Sequence, residues 1–154
     1  MIRPATPADV PEILTMIAEL AAYEKEPDAA VATAEQLHAA LFGPAPAVFA
    51  LIAAEPGPDG AETVVGMAVY FRTFSTWTGT HGIWLEDLYV RPGVRGGGHG
   101  KQLLATLGHE GLEGQGRDIL VDADNGFEGS ARRRVTPPST DRHCRHTSLD
   151  ALTP

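Results

Sequence analysis

Cysteine occurs once in the 154 residues, at Cys144, so an internal disulfide is excluded. This lone thiol sits among arginines and polar residues that do not suit a nucleophile. No apolar run reaches the roughly 18 residues that a membrane span needs, and the N-terminus lacks the basic-then-apolar pattern of a secretion signal. A cytoplasmic location away from membranes is expected. His, Cys and carboxylate residues nowhere cluster at metal-ligand spacing, so no metal is expected. Positive charge is scarce as well. Twelve Lys and Arg stand against 20 Asp and Glu, a net charge of −8, which argues against nucleic acid as a partner and suits a cationic substrate. The imbalance is uneven: residues 1–116 hold 14 acids and 6 bases, whereas residues 117–154 hold 6 of each.

What the chain does have is the length and composition of one globular domain, with 43% apolar and 21% charged residues. Its informative stretch is Trp84 to Leu104, WLEDLYVRPGVRGGGHGKQLL. An apolar, aromatic run with Glu86 and Asp87 inside it has strand composition and stops at Arg91-Pro92-Gly93. Four glycines follow within Gly96 to Gly100, and Leu103, Leu104 and Leu107 then open a helical stripe. Strand, glycine loop and helix start together suit phosphate, because the backbone can approach closely and a helix N-terminus offers free N–H groups. A Walker loop would need Ser or Thr where Gln102 stands, and a dinucleotide fingerprint starting at Gly96 would need glycine where Lys101 stands.

The spacing Arg95-x-x-Gly98-x-Gly100 after a strand ending Val-Arg-Pro resembles the pyrophosphate loop of the GCN5-related N-acetyltransferases. Within that superfamily, Glu19 to Asp28 (ELAAYEKEPD), the loop holding Trp77, and Trp84 to Lys101 are similar to the spermidine/spermine (diamine) and thialysine N-acetyltransferases. The resemblance covers residues 1 to about 107. It implies acetyl-CoA as acetyl donor, held by Arg95 and the backbone of Gly96, Gly97, Gly98, His99, Gly100 and Lys101. It also implies that the backbone of Leu88, Tyr89 and Val90 aligns the pantetheine, and that Tyr23 and Glu24 meet a polyamine, diamine or similar small cationic amine. Glu86 is the candidate base, with Trp77 and Asp87 as further substrate contacts. Neighbouring residues on a strand face opposite ways, so Glu86 and Asp87 line one cleft only if the strand bulges. A homodimer is implied by the resemblance alone.

The expected fold is α+β, a mostly antiparallel sheet flanked by helices. A short strand at Ile2 and Arg3 precedes a helix capped by Thr6, with Pro7 in its first turn and Val10, Ile13, Leu14, Ile17, Leu20 and Ala21 as its apolar stripe, ending near Tyr23. Thr33 to Leu41 makes a second helix, and strands are expected over Val48–Ala54 and Thr63–Phe74, the latter with a bulge at Gly66. Ser75 to Gly82 is expected as a loop.

The domain is placed at residues 1–116, and residues 117–154 are expected to be an atypical tail. Ile119 to Val121 keep strand composition and Asn125 echoes a loop asparagine of the family. No tyrosine follows Tyr89, although the family uses a later one to protonate the leaving thiolate. Between Glu128 and Ser148 only Ala131, Val135 and Cys144 are aliphatic or sulfur-bearing, among five arginines, and that composition predicts disorder. Composition, charge and family pattern change together near residues 107–117, as after a shift of reading frame. Two functions therefore stand open: an amine N-acetyltransferase, or a CoA-binding relative without turnover. A phosphate-binding protein of unrelated family is a distant third.

Overall fold

The computed structural model describes residues 1–57, 60–113 and 119–121, the backbone alone for 110–113 and 119–121. The expected tail disorder, Asn125 and the region of the expected frame change beyond 113 lie outside the described residues, apart from the strand at 119–121. In chain order the elements are β1 (Ile2–Pro4), α1 (Val10–Tyr23), α2 (Ala34–Phe42), β2 (Phe49–Pro56), β3 (Glu62–Ser75), β4 (Thr80–Val90), α3 (His99–Glu113) and β5 (Ile119–Val121). The strands form one sheet in the order β1-β2-β3-β4-β5, antiparallel except for the parallel β4–β5 pair. The α+β expectation holds, and Ile119–Val121 does form a strand.

Local chemistry sets the helix starts. Thr6 and Asp9 form a capping box, with the Thr6 N–H donating to Asp9 Oδ2 at 2.7 Å, and a single 3-10 turn at Pro7–Asp9 leads into α1. Thr33 caps α2 by accepting from the Gln36 N–H at 3.2 Å, while its own N–H donates to the Gln36 side chain at 2.9 Å. The sheet separates two apolar clusters. Ile13, Met16, Leu37, Leu41, Ile52 and Met67 fill the side covered by α1 and α2. Leu51, Ala53, Ala68, Leu85, Leu103 and Leu107 fill the side covered by α3.

Three sequence expectations change in detail. The loop expected over Ser75–Gly82 is a turn at residues 76–79 only, because Thr80 to Gly82 pair with Ser75, Phe74 and Thr73 and extend the hairpin. The β3 bulge falls at Val65, skipped between Ala53↔Gly66 and Ala54↔Val64, rather than at Gly66 itself. Gly66 serves close approach instead: a Cβ there would lie 2.8 Å from the Tyr89 carbonyl oxygen. The third helix starts at His99, earlier than its apolar stripe suggests.

Candidate active site

A second bulge shapes the site. Val69 pairs with Asp87 and Tyr70 with Leu85, which leaves Glu86 as the extra residue of β4. Without it, Ile83, Leu85, Asp87 and Tyr89 would share one face. Instead Ile83 and Leu85 pack on the α3 side, while Tyr89 packs on the α1 side and Asp87 pairs with Val69, which packs there too. The condition for Glu86 and Asp87 to serve one cleft is thus met. Glu86 is exposed and accepts from Trp84 Nε1 at 3.0 Å, and Trp84 in turn stacks on Phe71. Asp87 is half-buried. Its carboxyl is pushed up to about 6, first by burial and then by the charges of Glu86 and Glu24.

A cavity of about 430 Å³ opens where the C-terminal end of β4 meets the ends of α1 and α3. Leu20, Tyr23 and Glu24 line it from α1, and Leu88, Tyr89 and Val90 from β4. The glycine loop and the start of α3 contribute Arg95, Gly96, Gly98, His99, Gly100 and Lys101, with Val94 before them. Gly96 (φ 89°) and Gly98 (φ 84°) hold left-handed backbone that a side chain would strain. β5 pairs only with Ile83–Leu85, so among the described residues Leu88–Val90 pair with β3 alone.

Arg91 draws α1 to the end of β4. Its guanidinium pairs with Glu19 at 3.1 Å and with Glu12 at 2.6 Å, and donates to the Val64 carbonyl oxygen at 3.1 Å. The end of α1 is a Schellman turn with Lys25 in left-handed backbone (φ 66°), the Lys25 N–H donating to Ala22 O and the Glu26 N–H to Ala21 O. Together these contacts set Tyr23 and Glu24 on the cavity wall. Burial and the Glu19 charge raise the Tyr89 phenol above its ordinary range. Arg95 Nε donates to the Val90 carbonyl oxygen at 2.9 Å, and its guanidinium lies 4.8 Å from the Tyr23 ring centre and 5.8 Å from that of Tyr89. His99 is 8% exposed, with Nε2 2.7 Å from Glu55 Oε1.

Of the residues singled out from sequence, the structure brings Tyr23, Glu24, Leu88, Tyr89, Val90, Arg95, Gly96, Gly98, His99, Gly100 and Lys101 to one cavity. Glu86 and Asp87 lie beside it on β4, and Gly97 lies in the loop without lining it. Trp77 is not brought there: it is 97% exposed in the hairpin turn. Leu20 and Val94 were missed. Leu20 belongs to the apolar stripe of α1 and carries no chemical signal to separate it from core positions. The described residues hold no group of three or more potential metal ligands, and no helix among them is long and apolar enough to cross a membrane.

The model of the acetyltransferase (GNAT) family matches residues 13–126. The chain belongs to that family. The match runs past Leu107, where the sequence reading ended it, and takes in β5 and Asn125. Among curated proteins of the family's kind, the thialysine N-epsilon-acetyltransferase of Bos taurus is 39% identical over 116 residues, 73% of this chain and 68% of that protein. The spermidine/spermine N(1)-acetyltransferase-like protein 1 of Homo sapiens is 42% identical over 109 residues, which are 69% of this chain but 15% of that protein. In fold, the chain is similar to an aminoglycoside acetyltransferase from an uncultured soil metagenomic sample, with a TM-score of 0.66 at 18% identity over 97% of this chain and 96% of that one. The donor of this family is acetyl-CoA, and the loop fits its pyrophosphate: unobstructed glycine backbone, the first turn of α3, Arg95 and Lys101 converge on one cavity.

Proposed function

We propose that this chain transfers the acetyl group of acetyl-CoA to a primary amine of a polyamine, diamine or similar small cationic amine. The observation that carries this reading is the charge of the site: Arg95 and Lys101 line one cavity with Glu24, and Glu24 and Glu86 lie close enough to Asp87 to raise its carboxyl. Pyrophosphate sits against the first turn of α3, near Arg95 and Lys101. The pantetheine runs along the edge of β4 at Leu88–Val90, where backbone groups align it and polarise the thioester carbonyl. The ammonium of the substrate is drawn to the carboxylates, and Tyr23 and Glu24 form its wall.

An amine with a pKa near 10 must lose a proton before its lone pair attacks the thioester carbon. Glu86 is the base by family pattern, but Asp87 has the better environment for proton acceptance, because burial and two neighbouring carboxylates raise its basicity. We assign the proton to this pair, with Asp87 as first acceptor. The tetrahedral intermediate then collapses, the C–S bond breaks and CoA leaves as the thiolate. Steady-state acetylation of spermidine and of thialysine, followed by CoA thiol release and mass increase of the amine, tests the assignment. Acetyl-CoA binding without acetylated product from any amine of this class would favour the second reading, a CoA-binding relative without turnover. That reading draws on the absence of tyrosine after Tyr89.

A further inference from the structure

The wall that α1 gives to the cavity lies past the part of α1 that the core holds. The buried residues of α1 are Val10, Ile13 and Met16, none of them in its last two turns. Leu20, Tyr23 and Glu24 line the cavity from the end of the helix, where Leu20 is half-buried and Tyr23 and Glu24 are exposed. Apolar packing therefore holds the first half of α1 against the sheet more firmly than its end. Arg91 grips that end. It donates from Nε to Glu19 Oε2 at 3.3 Å and from Nη2 to Glu19 Oε1 at 3.1 Å, a fork on one carboxylate. Its Nη2 also lies 2.6 Å from Glu12 Oε1. Glu12 and Glu19 stand two turns apart, about 10 Å along the axis, so one guanidinium holds the helix at two points of its length. Arg91 is itself fixed to β3: its N–H donates to the Val65 carbonyl oxygen at 2.9 Å and its Nη1 to that of Val64 at 3.1 Å. Isolated exposed ion pairs contribute little, but this one is bidentate, belongs to a network and joins side chains only 29% and 35% exposed.

We propose that Arg91 is a positioning residue for the amine: by gripping Glu19 it holds the end of α1, and with it Tyr23 and Glu24, at a set distance from β4. The assignment rests on the reading that the cavity takes an amine beside the acetyl donor, and it concerns a residue that does not line the cavity. Arg91 directly follows Val90, which does line it. The strand that carries the donor edge and the helix that carries the acceptor wall are thus joined one residue beyond the site. Sign separates this role from a purely electrostatic one. Loss of Arg91 leaves Glu12 and Glu19 without their cation, and the added negative charge alone would draw a cationic amine more strongly. Loss of the grip lets Tyr23 and Glu24 move away from β4, which weakens amine binding. The two accounts predict opposite changes in KM.

The test is steady-state kinetics at saturating acetyl-CoA on whichever of spermidine and thialysine the unaltered chain acetylates, with acetyl-CoA affinity measured separately by calorimetry. In Arg91→Met, KM for the amine is expected to rise about three- to tenfold, while kcat and the acetyl-CoA dissociation constant stay within about twofold. Arg91→Lys keeps the charge but not the fork, so it shares most of that rise. Should thermal unfolding show that Arg91→Met does not fold, Arg91→Lys and Glu19→Gln carry the test, each breaking the fork from one side and each raising KM. An amine KM that falls or stays unchanged in Arg91→Met overturns the assignment, as do parental kinetics in Arg91→Lys. A loss of kcat and of acetyl-CoA affinity together with the rise in KM also overturns it, and makes Arg91 a support of the whole fold. Acetylation of neither amine by the unaltered chain overturns the function reading, and the assignment with it.

Discussion

Arg95 Nε donates to the carbonyl oxygen of Val90 at 2.9 Å, so the cation of the glycine loop rests on the strand edge along which an acyl donor would lie. The rings of Tyr23 and Tyr89 flank the same guanidinium. Under the proposed function, the guanidinium would meet the donor's diphosphate from this position.

Replacing Arg95 by Ala removes a charge-assisted contact to the donor and also frees Val90. The expected net outcome is a rise of roughly ten- to a hundredfold in the dissociation constant of acetyl-CoA, since hydrogen bonds to charged groups contribute about 1.5–3 kcal/mol. Stability falls by less than about 1 kcal/mol, because the cation–π contacts lie at an open site. Calorimetry with CoA and thermal unfolding of the free chain check both halves.

Asp87 gives the site a pH dependence of known sign. Its carboxyl is pushed up to about 6, above the usual carboxylate range, so kcat/KM should rise through pH 6 as it becomes a base. In Asp87→Asn that limb disappears and the rate falls by roughly 10²–10⁴-fold, the usual range for a positioned base. Glu86→Gln separates the two acids: a limb retained in this variant leaves Asp87 as the acceptor, and a limb lost here but retained in Asp87→Asn makes Glu86 the acceptor. A raised folded-state pKa also means that the folded chain binds this proton more tightly than the unfolded one. Its contribution to stability therefore declines between about pH 4 and 6 and is level above. Asp87→Asn removes that decline, which denaturant unfolding at pH 4, 5, 6 and 7 reads directly.

Asp9 acts in the opposite direction. Arg3 donates to both of its oxygens at 2.8 Å, and Thr6 donates from its N–H at 2.7 Å. These bonds, the Arg3 contact foremost, hold its carboxyl down at about 2. The stability this lends is present above about pH 4 and is lost as pH falls toward 2. Asp9→Asn should cost on the order of 2 kcal/mol at pH 7 and flatten the acid limb. Equal acid sensitivity in the variant and the parent would remove Asp9 as its source.

Gly66→Ala tests the close approach of β3 to β4. The added Cβ would lie 2.8 Å from the Tyr89 carbonyl oxygen, a backbone atom that moves only with its strand. A loss of about 1–3 kcal/mol is expected. Because Tyr89 and Val90 line the cavity, acetyl-CoA affinity should fall with it. Lost stability with unchanged affinity would separate the packing from the site.

The sequence by itself determined the local features: the capping residues of α1 and α2, the apolar periods, the turn at Pro92, and the glycine loop opening α3. Each of these depends on residues within a few positions of one another, so spacing alone reveals them. It also determined membership of the family, because Arg95, Gly98 and Gly100 after β4 form a contiguous pattern. The tertiary structure decided what depends on partners distant in the chain. The bulge at Glu86 exists only against β3, and it alone sets Asp87 and Tyr89 on the α1 side. Arg91 finds Glu12 and Glu19 across more than seventy residues, which no local pattern announces. His99 reads as an ordinary loop residue until β2 brings Glu55 against its ring. Trp77 shows the converse: the resemblance of its loop makes it a candidate substrate contact, and only the pairing of Thr80–Gly82 with Thr73–Ser75 puts it at a hairpin tip facing solvent. Short-range chemistry fixes elements, but the surroundings of a side chain come from long-range pairing, and burial and charge follow from those surroundings.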